Sequence, residues 1–500
     1  MAEGNLKSRY DKLVHDRRPY LDRARLAAKL TIPSLIPDEG HTKDTSFETP
    51  WQSIGSRGTN NLASKMLLSL MPPNSPFFRM KVDEAELAEL DGATRGDLET
   101  GLASYERVLT DDIEDAKARS SLFQGFKHLV VAGNGLLKNT DDGSVRLYPL
   151  SRYVVKRDAE GTVYEMIATD HTVYGALSRE LRDAMVSAGV EGKQADADVT
   201  IYTGIIRGGD QWQVWQEVEG VVVPDSVGSY PLDASPWIPL RMVAVDGESY
   251  GRSFIEEIYG DLNTVDALTQ AITEGASASA IVKFLVDPNG STDIDDVTDA
   301  PNGGFATGRE QDISVLQVNK FADLRVANEH MKEISSRLHL AFLLHNAVQR
   351  DAERVTAEEI RYMAQELEDA LGGIYSVLAE ELQLPMVKYR MKKLATEQKL
   401  PTLPQSIKPA IITGLEALGR NQEHQRLRVF VGDVAQTFGP EITSEYMKVD
   451  EYIKRSGAAM NVETNGLVRT DDEVQKRRNE RMQAEAQAQA QAQAQSQQPE

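Results

Sequence analysis

The residues with most chemical promise are Gly247-Glu248-Ser249-Tyr250-Gly251, a G-x-S-x-G match. In a nucleophile elbow the serine sits on a sharp strand-to-helix turn, and an acid and then a histidine follow on later loops. Leu240–Val245 upstream reads as a strand and a helix follows, so the local context is right. A better helix start nevertheless falls four residues later. Ser253-Phe-Ile-Glu256 is a capping box, which leaves Ser249 in the turn before the cap. The partners are also misplaced: of the later histidines, His330, His339 and His345 fall within one helical pattern and only His424 remains. The stretch therefore reads as a structural turn, in which Gly247 and Gly251 permit a sharp bend into a long helix capped by Ser253.

Other chemistry is thinner. There is no cysteine, which excludes disulfides, thiolate metal sites and cysteine nucleophiles. No G-x-x-x-x-G-K-[ST] occurs, and Gly55-Ser-Arg-Gly58 lacks the lysine and the preceding strand of a phosphate loop. His339 and His345 are about 240° apart around a helix and cannot share a metal as i, i+4 histidines do. Glu256-Glu257 and Glu358-Glu359 sit in first helical turns, where acids suit the helix dipole. Trp212 and Trp215 alternate with polar residues on a strand and read as packing. Neither a cofactor nor a metal is expected.

The elements that would hold such residues fall into two patterns. In the first half, residues 6–30 read as helix interrupted at Pro19. A second helix starts at Thr49-Pro50-Trp51, with Thr49 as cap and Pro50 at the first helical position, and stops at Pro72-Pro73. Residues 95–138 read as mostly helical. Residues 144–175 switch to period two, and a clear hairpin joins Val199–Ile206 to Gln211–Trp215 across Gly208-Gly209-Asp210. Helices segregated from antiparallel strands make this half α+β.

After residue 253 two helical stretches flank a polar insert. The first carries Leu262, Val265, Leu268 and Ile272, then the small residues Gly275, Ala276, Ala278 and Ala280. The second, from about Phe321 to Val348, has apolar residues at Leu324, Ala327, Met331, Ile334, Leu338 and Ala341. That is a seven-residue repeat with a narrow seam, which needs a partner from its own chain or a neighbour. Ile281–Val286 and Ile313–Val318 read as two strands. Thr356-Ala-Glu-Glu359 is a capping box opening a long helix that Pro385 ends or kinks, and residues 415–455 are helical again. The Ala/Gln run at the end makes no apolar face and reads as an exposed tail. No run approaches the roughly 18 apolar residues of a membrane span.

Net charge is −22, although the first 80 residues carry a small positive surplus. Strong acidity argues against a sequence-reading nucleic-acid binder, whose footprint is basic. It permits a protein past which DNA must slide without sticking.

Several ordered phrases carry a family resemblance: Thr31-Ile-Pro-Ser-Leu35, Thr49-Pro-Trp-Gln52, Gly58-Thr-Asn-Asn-Leu-Ala-Ser-Lys65, Leu129-Val-Val-Ala-Gly-Asn134, Asp246-Gly-Glu-Ser-Tyr-Gly-Arg-Ser253, Ala347-Val-Gln-Arg350, Glu353-Arg-Val-Thr-Ala-Glu-Glu-Ile-Arg361 and Leu367-Glu-Asp-Ala-Leu-Gly-Gly-Ile-Tyr375. Across residues 1–420 the chain resembles the portal, or head-to-tail connector, proteins of short-tailed podoviruses. The resemblance implies a ring of twelve identical subunits at one capsid vertex of the virion, assembled in the host cytoplasm. Double-stranded DNA would be packaged and ejected through its channel, with the terminase docking first and tail adaptor proteins later, and with capsid or scaffold proteins around it. It implies no enzyme activity. The parts would be a wing at 1–261, a first stem helix at 262–283, a clip at 284–320, a second stem helix at 321–345, a channel loop at 346–355, wing helices at 356–420, a crown at 421–480 and the low-complexity tail at 481–500. Gln349, Arg350 and Arg354 would face DNA, and the small residues at 275–280 would let stem helices pack closely. Two other classes stay open: a serine hydrolase using Ser249, and a capsid scaffold or adaptor without a channel.

Overall fold

A computed structural model describes residues 5–42, 44–73, 77–82, 92–115, 118–140, 142–190, 192–281, 283–316, 321–344, 367, 372–404, 406–411, 419–439 and isolated positions between 446 and 480. Helix α1 (Leu6–Lys29) begins where the Asn5 side chain accepts from the Ser8 N–H at 2.9 Å. Pro19 lies inside it and does not interrupt it. The helix is held on both sides of the proline by tertiary contacts. Arg17 is buried and donates to the carbonyls of Ser151 and Tyr153 at 3.0 and 2.9 Å, and Leu21, Ala24 and Ala28 enter the main core.

Helix α2 (Ile54–Leu70) starts after Ser53, not at Thr49-Pro50. Gln52 decides the entry point. Its side chain donates to the Leu30 carbonyl at 2.7 Å and accepts from the Gly55 N–H at 2.8 Å, and its own N–H donates to Asp266 at 3.1 Å. Strand β1 (Phe78–Val82), α3 (Gly92–Asp115) and α4 (Ala118–Ala132) follow. The helical reading of 95–138 then fails at its end: Gly133, at φ +70, turns the chain into strand β2 (Asn134–Asn139).

The middle of the chain is antiparallel sheet: β3 (Val145–Tyr148), β4 (Tyr153–Arg157), β5 (Val163–Val173), helix α5 (Arg179–Ser187), β6 (Asp198–Gly208), β7 (Gln211–Val218), β8 (Val221–Val222), β9 (Gly228–Pro231) and β10 (Trp237–Arg241). One sheet runs β4-β5-β6-β7-β8, with β9 also on β7, and a second runs β10-β2-β3. Gly208 pairs with Gln211, so the hairpin turns on Gly209-Asp210 with Gly209 at φ +63.

Helix α6 (Phe254–Ala280) carries both hydrogen bonds of the Ser253/Glu256 capping box. It leads into β11 (Lys283–Val286), the short helix α7 (Ile294–Asp299), β12 (Ile313–Leu316) and α8 (Phe321–Ala341). The α8 seam finds its partner within the chain. Ile334 and Leu338 are buried, Leu268 and Met331 flank the same core, and Thr269 Oγ1 lies 3.5 Å from Met331 Sδ. At the end of α8 the exposed carbonyls are taken by α2. Asn61 donates to the carbonyls of Phe342 and Leu343 at 2.9 and 3.0 Å, and Lys65 donates to that of Leu343 at 3.0 Å.

Helix α9 (Ile374–Leu378), a π turn (Ala379–Gln383) and α10 (Leu384–Thr396) form a continuous rod. Pro385 neither ends nor visibly breaks it, because the π turn precedes it: Leu384 N–H donates to the Ala379 carbonyl five residues back. Strand β13 (Ile407–Ile411) pairs with β1, and α11 (Gly419–Phe438) is the last long helix described. The result is a mixed helical and antiparallel-sheet architecture, with one main core joining α1–α4, both body sheets, the base of α6 and α8, and α9–α10. No helix among the described residues is long and apolar enough to cross a membrane. The Thr356–Glu359 box, the 346–355 loop and the 481–500 tail lie outside the described residues.

Candidate functional site

The turn carrying Ser249 is a joint between four elements. Val243 and Arg252 bridge across it, with N–H groups donating both ways at 3.3 and 2.9 Å. Gly247 adopts φ +74, which favours glycine. Gly251 is needed for a different reason: a Cβ there would stand 2.8 Å from the Gly133 carbonyl oxygen. Asn134 holds the other side. Its amide donates to the Gly251 carbonyl at 2.8 Å and its oxygen accepts from the Gly251 N–H at 2.7 Å. Gly133 is equally constrained, since its Cβ would meet the Arg252 carbonyl carbon at 2.4 Å.

Ser249 and Tyr250 serve the sheet. Ser249 Oγ accepts from the Arg157 N–H at 3.2 Å, its one side-chain hydrogen bond among the described residues. Tyr250 is 1% exposed and its hydroxyl accepts from the Val155 N–H at 3.1 Å. Both therefore bond to β4, and among the described residues no general base bonds to the serine. Burial pushes the Tyr250 hydroxyl well above its ordinary pKa.

Ionic contacts tie the same turn to α1 and α6. Glu248 accepts from Arg252 Nε at 2.9 Å and from the Tyr20 hydroxyl at 2.7 Å, and Arg23 reaches Glu256 at 3.5 Å. The hydrogen bond from Arg252 lowers the Glu248 pKa. Burial, aided by the Glu248 hydrogen bond, pushes Tyr20 up to about 12. Behind the turn, Glu381 of the π turn accepts from Arg241 at 2.8 Å and pairs with the buried Arg157 at 3.1 Å. The sequence reading missed this cluster, whose members are 84 and 140 residues apart and share no local pattern.

The small residues of α6 do not act alike. Gly275 faces α8 in its own chain, where a Cβ would lie 3.0 Å from Leu324 Cδ2, while Ala276, Ala278 and Ala280 are exposed. Gln349, Arg350 and Arg354 lie outside the described residues. Among the described residues, no group of three or more His, Asp or Glu side chains is arranged to hold a metal. The geometry is that of a rigid joint from which a helical hairpin, α6 and α8, projects with the insert at its tip.

A family model described as bacteriophage head to tail connecting protein matches residues 3–468, and the chain belongs to that family. Among curated proteins it is 43% identical to the portal protein of Escherichia phage T7, over 95% of this chain and 90% of that one. It is 42% identical to the portal protein of Enterobacteria phage T3 with the same coverage, and 31% identical to that of Enterobacteria phage SP6 over 95% of this chain and 92% of the other.

Proposed function

We propose that this chain is the subunit of a portal ring at the phage head–tail junction, through which double-stranded DNA is packaged and later ejected. The observation that carries the reading is the family match across residues 3–468. The fold supports it. A cyclic ring needs one face of each subunit to fit a different face of the next, and the α6/α8 hairpin offers the exposed small residues Ala276 and Ala280 on one face of α6, where backbones can approach closely. In this reading the sheet body is the wing, the hairpin is the stem and residues 284–320 are the clip, the docking surface for terminase and then for tail adaptor. Residues 421–480 would form the crown. In this reading the protein has no enzymatic role: Ser249 Oγ braces β4 by accepting from the Arg157 N–H, and ATP would be consumed by the terminase.

Arg350 and Arg354 would meet backbone phosphates as DNA advances, in contacts that carry no sequence information and weaken with salt. Light scattering and end-on electron micrographs test the ring directly. Closed rings of twelve are expected, and a stable monomer at micromolar concentration under every salt condition would defeat the reading. A double Arg350→Glu, Arg354→Glu variant should assemble normally yet alter packaged genome length or DNA retention. Normal length and retention would remove the loop from the DNA path.

A further inference from the structure

The insert between the two hairpin helices has an apolar surface that its own chain leaves open. Strands β11 and β12 pair Phe284 with Val315 and Val286 with Ile313. Side chains alternate across a strand, so these four share one face, and that face is wholly apolar. Phe284 is 67% exposed and Val315 52%. At residues 281 and 283–315 no apolar side chain is buried, and the one buried residue is Asp312. A two-stranded sheet with no covered face is marginal in water.

The same insert also carries a knob. Phe305 is 103% exposed and touches nothing in its own chain. Its loop is held in place. Gly304 N–H donates to the Pro301 carbonyl at 2.7 Å, and Arg309 N–H donates to Thr292 Oγ1 at 2.8 Å. The Asp312 carboxylate accepts from the N–H groups of Ser291 and Thr292 at 2.9 and 3.0 Å. An open apolar face and an apolar knob on one insert, which do not meet within the chain, are complementary between chains. That is a head-to-tail contact, the kind that closes into a ring.

We propose that Phe305 of one copy seats on the Phe284/Val286/Ile313/Val315 face of the next, so that the insert acquires its hydrophobic core only on assembly. The contact rests on the ring reading given above, and the occupant is a second copy because both halves of the contact are present in every chain. Apolar burial then drives the association of inserts that are otherwise acidic, with seven acids and two bases in residues 284–320.

The absence of cysteine makes the test clean. A Phe305→Cys, Val315→Cys double variant is assembled and oxidised with diamide, then run on a denaturing gel without reductant. A ladder of covalent multimers reaching the full ring is expected. Rings without a ladder would overturn this contact and leave the ring reading standing. A ladder stopping at dimer would mean a two-fold contact, and a fast-migrating monomer would mean closure within one chain; either overturns it. Absence of rings for the unmodified protein would remove the ring reading and this contact together. In parallel, Phe305→Asp should raise the protein concentration at half-assembly about tenfold or more with an unchanged subunit melting curve. Unchanged assembly would overturn the proposal.

Discussion

The joint around Gly133 and Ser253 and the insert at 281–316 are built in opposite ways. At the joint the backbone of the turn is met inside the chain: Asn134 takes both backbone groups of Gly251, Tyr250 is buried against β4, and glycines stand where a methyl group would collide with backbone. In the insert the polar groups are satisfied, through Asp312, but Phe284, Leu285, Phe305 and Val315 remain in water. A region complete in one chain sets shape. A region with polar bonds made and apolar surface open is shaped for a contact that the single chain does not contain.

Substitutions sharpen that contrast, and the largest effect belongs at the joint. Gly133→Val places a side chain on the Arg252 backbone at a positive φ. It should cost on the order of 4 kcal/mol, seen as loss of soluble subunit or a collapsed melting temperature. Leu338→Ala, where α8 meets the core at 1% exposure, should cost about 2–5 kcal/mol by cavity formation, read from denaturant unfolding. Tyr250→Phe keeps the ring and strands the buried Val155 N–H, for a loss of about 1–3 kcal/mol in the same assay. Phe284→Ser should change subunit stability by no more than about 0.5 kcal/mol while weakening ring assembly in light scattering. A large stability loss for Phe284→Ser would break the comparison, because it would mean that the insert has a core of its own.

What the sequence made legible follows the range of the interactions. The Ser253/Glu256 box spans three residues, and the hairpin at Gly209-Asp210 spans two, so both could be read locally. The α8 seam was visible as a pattern, but its partner was open until α6 was seen beside it. Misreadings came from longer contacts. Thr49-Pro50 looked like a helix start, yet Gln52 moves the entry to Ser53 through bonds to Leu30 and Asp266. Leu136 and Leu137 looked helical, yet they pair with β10, about a hundred residues on. Pro19 promised an interruption that the buried Arg17 and Leu21 override. At the site, the turn chemistry of residues 247–253 was written in the chain, whereas Asn134 and Glu381 were not. Neither the lone Asn134 in its apolar stretch nor Glu381 beside Glu380 gives a sign of which distant group it will meet.

The π turn at Ala379–Gln383 gives the α9–α10 rod one residue to spare. It holds one residue more per turn than an α-helix, which is why Leu384 reaches back to Ala379 and why the ring of Pro385 has room. Removing a single residue there would let the rod close as ordinary α-helix. The stretches on either side would stay nearly in phase, because five π steps cover about the same rotation and rise as four α steps. In this stretch a one-residue deletion is absorbed and not passed on, and what it disturbs is local: Glu381, clasped by Arg157 and Arg241, sits on the turn itself.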